Sequence, residues 1–213
     1  MECWNENTMG NIKSMYNRSL TRELSGSIGR IVPGKTVLLY GSSLVYYTSL
    51  VVIKEALKRL PSIAVVDGAN RFDAYSLARL AQVDGRDPVD VLSRVFLSRM
   101  FTAFQMDGVL TRGVEPFLKE SRTKVLVILG LLHTFYDDQI SAREAERSLA
   151  RISEKFDRLK NEGISLLLAS ENLTPAQKQK QFFHLRLKAM ADDVYETSPD
   201  FYPEVVWNRR LLR

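Results

Sequence analysis

The eight residues "GRIVPGKT", Gly29 to Thr36, match the phosphate-cradling pattern GxxxxGK[ST] at every fixed position, with Lys35 as the candidate ammonium. That pattern works in one setting. A buried strand delivers a glycine-rich turn to a helix N-terminus, where backbone N–H groups and the helix dipole surround the phosphates. Here the order differs: "TRELSGSI" upstream holds no buried-strand run, and "VLLYGSS" downstream has the apolar density of a strand and breaks at Gly41. Pro33 followed by Gly34 suits the two central positions of a type II turn feeding that strand. Lys35 then reads as a solvated residue, and ATP hydrolysis through Lys35 stands as the alternative.

A phosphate loop belongs directly after "TVLLY", where the sequence is "GSSLVYYTS", Gly41 to Ser49. Laid over the same pattern, it keeps Gly41 and Thr48 but places Tyr46 at the second glycine and Tyr47 at the lysine. Tyrosine resists the backbone geometry that glycine permits, and a neutral ring cannot compensate the β and γ phosphates. The remaining reactive residues form no recognisable constellation. His133 and His184 are the two histidines and lack metal-ligand spacing. Asp137 and Asp138 precede a helix start, where acidic residues are favourable without a metal. The one cysteine, Cys3, lies near the N-terminus, so neither a Cys/His pair nor an internal disulfide is expected. No catalytic residue, metal or cofactor is expected.

The elements that carry these residues alternate. "TVLLY" (36–40), "SIAVVD" (62–67), "FLSRMF" (96–101), "KVLVILGLL" (124–132) and "ISLLLAS" (164–170) read as strands, "SIAVVD" and "ISLLLAS" as buried ones. Between them lie helical patterns: "TSLVVIKEALKRL", "AYSLARLA", "DPVDVLSRV" with Asp87 as N-cap and Pro88 at the first helical position, and "GVEPFLKES". Ser141 with Glu144 makes a capping box for a long amphipathic helix that ends at Gly163. The runs "FFHLRLKAM" and "DDVYET" alternate as antiparallel strands do. The expected fold is α/β, mostly parallel strands with flanking helices and a C-terminal antiparallel extension.

Residues 1–20 are polar and Asn-rich without an apolar h-region, so they read as a flexible tail before one domain spanning 21–213. No apolar run approaches the ~20 residues of a membrane-spanning helix, and a cytoplasmic location is the expectation. The net charge of +5 permits contact with nucleic acid or an acidic partner without requiring either.

In order and spacing, the segments from about Leu24 to Tyr195 resemble the RecA-like ATPases, in particular the RadA-like and KaiC-like recombinase branch. "GRIVPGKTVLLYGSS" is similar to that family's opening, in which a Pro-Gly turn precedes the first core strand and the phosphate loop follows it. "VVDGANRFDAYSLARLA", "VILGLLHTFYDD", "LLLASENL" and "LRLKAMADDVYET" are similar to its later segments. The resemblance places the family's lysine at Tyr47, its second glycine at Tyr46, its catalytic glutamate at Ala69 and its Walker B aspartate at Gly130, while Asp67 and Thr48 are retained. It implies a RecA-like core that has given up hydrolysis. The counterparts of the family's two DNA loops are "FYDDQIS" (135–141) and "ENLTPAQKQKQ" (171–181). Lys178 and Lys180, with Arg209 and Arg210 near the C-terminus, are the candidates for salt-dependent backbone contacts. The expected function is that of a non-catalytic or regulatory subunit in DNA recombination or repair, partnered by another RecA-like protein, a recombination factor or itself. The alternative is single-stranded DNA binding without ATP.

Overall fold

The computed structural model of the chain describes residues 32–196 and the backbone of 208–210. The N-terminal tail, Cys3 and Gly29 lie outside the described residues. Strands β1 (Thr36–Gly41), β2 (Ile63–Asp67), β3 (Val95–Arg99), β4 (Val125–Leu129), β5 (Ser165–Glu171) and β6 (Asp193–Glu196) form a parallel sheet in the order β3-β2-β4-β5-β1-β6. Three residues, Asn208–Arg210 (β7), pair antiparallel with β6. The chain is therefore α/β with a six-strand parallel sheet flanked by helices, an arrangement consistent with a RecA-like core.

The near-continuous apolar strands follow from helices on both faces of the sheet. Alternate residues supply two cores. Leu38, Leu126, Ile128, Leu166 and Leu168 point to one face. It is covered by α4 (Ala103–Gly108), a π turn (Val109–Gly113), α5 (Val114–Glu120), α6 (Leu131–Phe135), α7 (Ala142–Asn161) and α8 (Phe183–Ala189). Leu39, Val65, Val127, Leu167 and Ala169 point to the other face, under α1 (Leu44–Ala56), α2 (Ala74–Val83) and α3 (Pro88–Ser93).

Local chemistry sets the helix ends. The expected capping box opens α7: the Glu144 N–H donates to Ser141 Oγ at 3.3 Å and the Ser141 N–H to Glu144 Oε2 at 3.2 Å. The helix buries Ala145, Leu149, Ile152, Phe156 and Leu159 along one stripe, each large apolar side chain contributing roughly 2 kcal/mol. It ends where Gly163 takes φ +77°. Asp87 caps α3, accepting from the Val89 N–H at 2.9 Å. At the far end of α1, Arg86 and Arg94 donate to the carbonyls of Lys54, Leu57, Leu60 and Pro61. Lys54 itself is buried, and its ammonium lies 2.7 Å from both Glu55 and Asp84.

The Pro33-Gly34 turn forms as expected: Gly34 has φ +73° and the Lys35 N–H donates to Val32 O at 3.2 Å. Glycine is needed twice over, because a Cβ at Gly34 would also stand 2.8 Å from the Lys160 carbonyl oxygen. Lys35 is exposed at the amino-terminal end of β1, roughly 17 Å from its carboxyl end at ~3.3 Å per residue.

Three expectations need correction. "KVLVILGLL" is a strand only to Leu129, because Gly130 adopts a left-handed φ of +65° and Leu131–Phe135 turns into α6. "FFHLRLKAM" is helical: Phe183, Leu187 and Met190 recur with helical spacing and are all buried against the sheet. "DDVYET" supplies β6, which runs parallel to β1 rather than antiparallel. Asp192 pins it there, its Oδ2 accepting from the Thr36 N–H at 2.7 Å and its own N–H donating to Thr36 O at 2.8 Å. No helix among the described residues is long and apolar enough to cross a membrane.

Candidate functional site at the carboxyl edge of the sheet

The chain leaves β1 for β2 on one side and returns from β5 to β6 on the other, so the strand order reverses at β1. In open α/β sheets the crevice beyond the carboxyl ends at such a reversal is where ligands bind. The loop there consists of Ser42 and Ser43 alone, between Gly41 and Leu44. Its turn uses up two amides that a phosphate would need: the Val45 N–H donates to Ser42 O at 3.1 Å and the Tyr46 N–H to Ser43 O at 3.2 Å. Because α1 starts at Leu44, Tyr46, Tyr47 and Thr48 lie within the helix rather than on a loop. Thr48 is fully buried, and Tyr47 is half-buried against the core under α1.

Tyr46 occupies the crevice. Its ring is 3 % exposed and meets the His133 ring edge-on at 6.1 Å between centroids. His133 Nε2 lies 3.3 Å from Glu171 Oε2 at the end of β5, and its Nδ1 lies 3.4 Å from the Tyr46 hydroxyl. Burial lowers the His133 pKa, against the opposing pull of Glu171. A neutral ring facing a carboxylate carries its proton on Nε2, so Nδ1 is left to accept from the Tyr46 hydroxyl. Burial, and then the charge of Glu171, raise the Tyr46 pKa, keeping the phenol protonated as this bond requires. Arg71 completes the cluster, its guanidinium 5.9 Å above the Tyr46 ring and 3.9 Å from Glu171 Oε2. The four side chains tie the first turn of α1 to the segments following β2 and β4 and to the end of β5.

The two positions that the resemblance assigns to lost carboxylates are neighbours. A Cβ built on Gly130 would lie 2.3 Å from the Ala69 Cβ, 3.0 Å from the Ala69 nitrogen and 2.9 Å from His133 Nδ1. No room is left at Gly130 for any side chain. Asp67, fully buried at the end of β2, holds the turn that follows. It accepts from the N–H groups of Ala69 (3.2 Å), Arg71 (3.1 Å) and Phe72 (2.9 Å). Arg99 Nε stands 3.7 Å from its Oδ2. Those donors fill most of the carboxylate's accepting capacity, which makes Asp67 an organiser of backbone rather than a metal ligand. Among the described residues no group of three or more His, Cys, Asp or Glu is placed to hold a metal.

The two expected DNA loops do meet, since they follow the adjacent strands β4 and β5. Lys180 is what joins them. It is fully buried and its ammonium donates to the Asp137 carbonyl at 2.5 Å, with burial lowering its pKa. It therefore presents no cation to a phosphate, whereas Lys178 is exposed. Arg209 and Arg210 fall in β7, of whose side chains nothing is described. Asp137 and Asp138 are exposed, Asp137 accepting from the Gln139 N–H at 2.8 Å. His184 bonds the Gln181 carbonyl and stacks on Tyr40.

Sequence reasoning placed Tyr46 at the crevice but missed its partners. The link from His133 to Glu171 joins residues on different elements, and His133 sits on α6, whose first two residues fall in the expected strand. Compared with known proteins, the chain matches no family model and no curated protein.

Proposed function

We propose that this chain is a RecA-like protein that does not hydrolyse ATP and acts as a non-catalytic or regulatory subunit, through protein–protein contacts, in DNA recombination or repair. The observation that carries the reading is the edge strand β3. Among the described residues it pairs with β2 alone, so the backbone of its outer side has no strand partner there. Alternation sends Phe96 and Leu97 to opposite faces, and both are exposed, at 41 % and 39 %. Phe117 packs edge-on against Phe96 at 5.2 Å, and Phe101 and Phe104, just beyond the strand, are more exposed still. Edge strands that must stay single are blunted by lysine, proline or a bulge. "VFLSR" has none of these before its final arginine, and exposed apolar surface of this kind marks a contact with another chain.

The crevice supports the non-catalytic half of the reading, with Tyr46 where a phosphate would lie and no carboxylate at Ala69 or Gly130. Titration calorimetry with ATP and Mg²⁺ is expected to show no binding; micromolar binding accompanied by turnover would overturn the reading. Phe96→Asp puts a charge on the β3 surface. Sedimentation velocity is expected to show self-association of the wild-type chain, or complex formation with a RecA-like partner, and its loss in the variant with an unchanged circular dichroism spectrum. An association that survives Phe96→Asp would place the contact elsewhere.

A further inference from the structure

Three helices of this chain end in the same way, and one of them uses the wrong residue. After α2 and α7, the residue that takes the left-handed conformation is glycine: Gly85 at φ +70° and Gly163 at φ +77°. After α5 it is Arg122, at φ +54°. The hydrogen bonds there are those of a Schellman ending, with the Thr123 N–H donating to Leu118 O at 3.1 Å and the Arg122 N–H to Lys119 O at 3.4 Å. Glycine is the residue this conformation favours, because a Cβ is crowded in it. A strained non-glycine residue that the surrounding structure holds in place points to a use for its side chain.

Arg122 stands on the rim of a cavity of about 330 Å³, within the range of small-molecule sites. The cavity lies at the amino-terminal edge of the sheet, the opposite end from the Tyr46 crevice. Its floor is apolar, built from Leu118, Leu159 and Ile164, all buried. Its rim carries three cations and two carboxylates, and the carboxylates are already engaged. Glu115 is held by Lys119 at 2.5 Å and by Lys155 at 2.7 Å, and Glu162 lies 3.4 Å from Lys119. Lys119 is thus shared between two carboxylates. Among the described residues, neither Arg122 nor Lys124 has an ion pair, so two positive charges are left facing the opening.

We infer that this cavity binds a phosphate monoester carried on a small apolar body. Two unpaired cations match the roughly −1.5 to −2 charge of a phosphate monoester at neutral pH better than the single charge of a carboxylate. The guanidinium fork of Arg122 can grip two phosphate oxygens at once, while Lys124 acts as a point charge. The apolar floor takes the rest of the ligand.

The full chain, labelled with ¹⁵N, is titrated with phenyl phosphate, inorganic phosphate, phenol and benzoate at physiological salt. Saturable shifts of the amides of residues 118–124 and 159–164 are expected with phenyl phosphate, weaker ones with inorganic phosphate, and none with phenol. Arg122→Gly is expected to weaken phenyl phosphate at least about tenfold while raising the melting temperature by about 2 °C through relief of the left-handed strain. Lys124→Gln is expected to weaken binding with the melting temperature unchanged. The inference fails if phenyl phosphate produces no saturable shift at these amides, or if Arg122→Gly binds as well as wild type. A melting temperature lowered by Arg122→Gly would remove the strain argument, and tighter binding of benzoate than of phenyl phosphate would overturn the ligand class.

Discussion

Gly130→Asp, which restores a carboxylate where the resemblance places the Walker B aspartate, is expected to destabilise the fold by about 3 kcal/mol and to confer no ATP turnover. The left-handed backbone at Gly130 accounts for about 1 kcal/mol of this, and the overlap with Ala69 for the rest. Aspartate tolerates the left-handed conformation better than most residues, so the overlap dominates. That makes the effect separable. Ala69→Gly removes the nearest atom, and the double variant is expected to recover part of the loss, because residues in direct contact do not act additively. Urea unfolding of the four proteins measures the coupling. A Gly130→Asp chain as stable as wild type would mean that the segment after β4 can move aside, and the crevice would then be open to repair.

Asp67→Ala is expected to cost a similar amount, about 3 kcal/mol, for a different reason. It leaves three amides, those of Ala69, Arg71 and Phe72, without their acceptor, and Arg99 without its carboxylate. Asp67→Asn keeps one acceptor oxygen and is expected to lose about 1 kcal/mol. Hydrogen exchange distinguishes a local role from a general one: the amides of residues 69–72 should exchange much faster in Asp67→Ala, with those of β5 shifted only by the global loss. Arg71, which reaches Tyr46 from this turn, is expected to lose its position over the ring in the same variant. An Asp67→Ala chain with protected turn amides would show that the turn holds without the carboxylate.

Both substitutions act on positions that could be named from the sequence, and the reason they could is the regularity of the parallel sheet. Apolar runs such as "TVLLY" and "SIAVVD" leave few choices of strand, and Asp87-Pro88 and Ser141 with Glu144 declare their helix starts through backbone hydrogen bonding within a few residues. Where the signal was shorter, it was ambiguous. "FFHLRLKAM" satisfies both an alternating and a helical pattern, and burial against the sheet decided for the helix. In "KVLVILGLL" the apolar run continues through Gly130, so nothing in hydrophobicity marks the left-handed turn that ends β4. The resemblance singled out Tyr46, Ala69 and Gly130, which the structure does bring to the carboxyl edge, and Tyr47, which it turns against the core instead. The positive content of the crevice was not legible, since His133, Glu171 and Arg71 are gathered from three separate segments by the sheet. Lys180 shows the same limit in reverse: a lysine among glutamines has every mark of a solvated residue, yet its stem is buried and its ammonium claimed by a carbonyl.

The place of β1 in the sheet bears on how the chain comes off the ribosome. Of the described strands β1 is made first, yet among them its partners are β5 and β6, and Leu166, opposite Thr36, follows about 130 residues later. At translation rates of ~5–20 residues per second, β1 and the apolar face of α1 wait for roughly 6–26 s before a neighbouring strand exists. β2 and β3, by contrast, can pair as soon as both have emerged. Nascent chains of this protein should therefore be captured by holdase chaperones through "TVLLYGSSLVYY" until β5 has cleared the exit tunnel, and released when β5 seats beside β1.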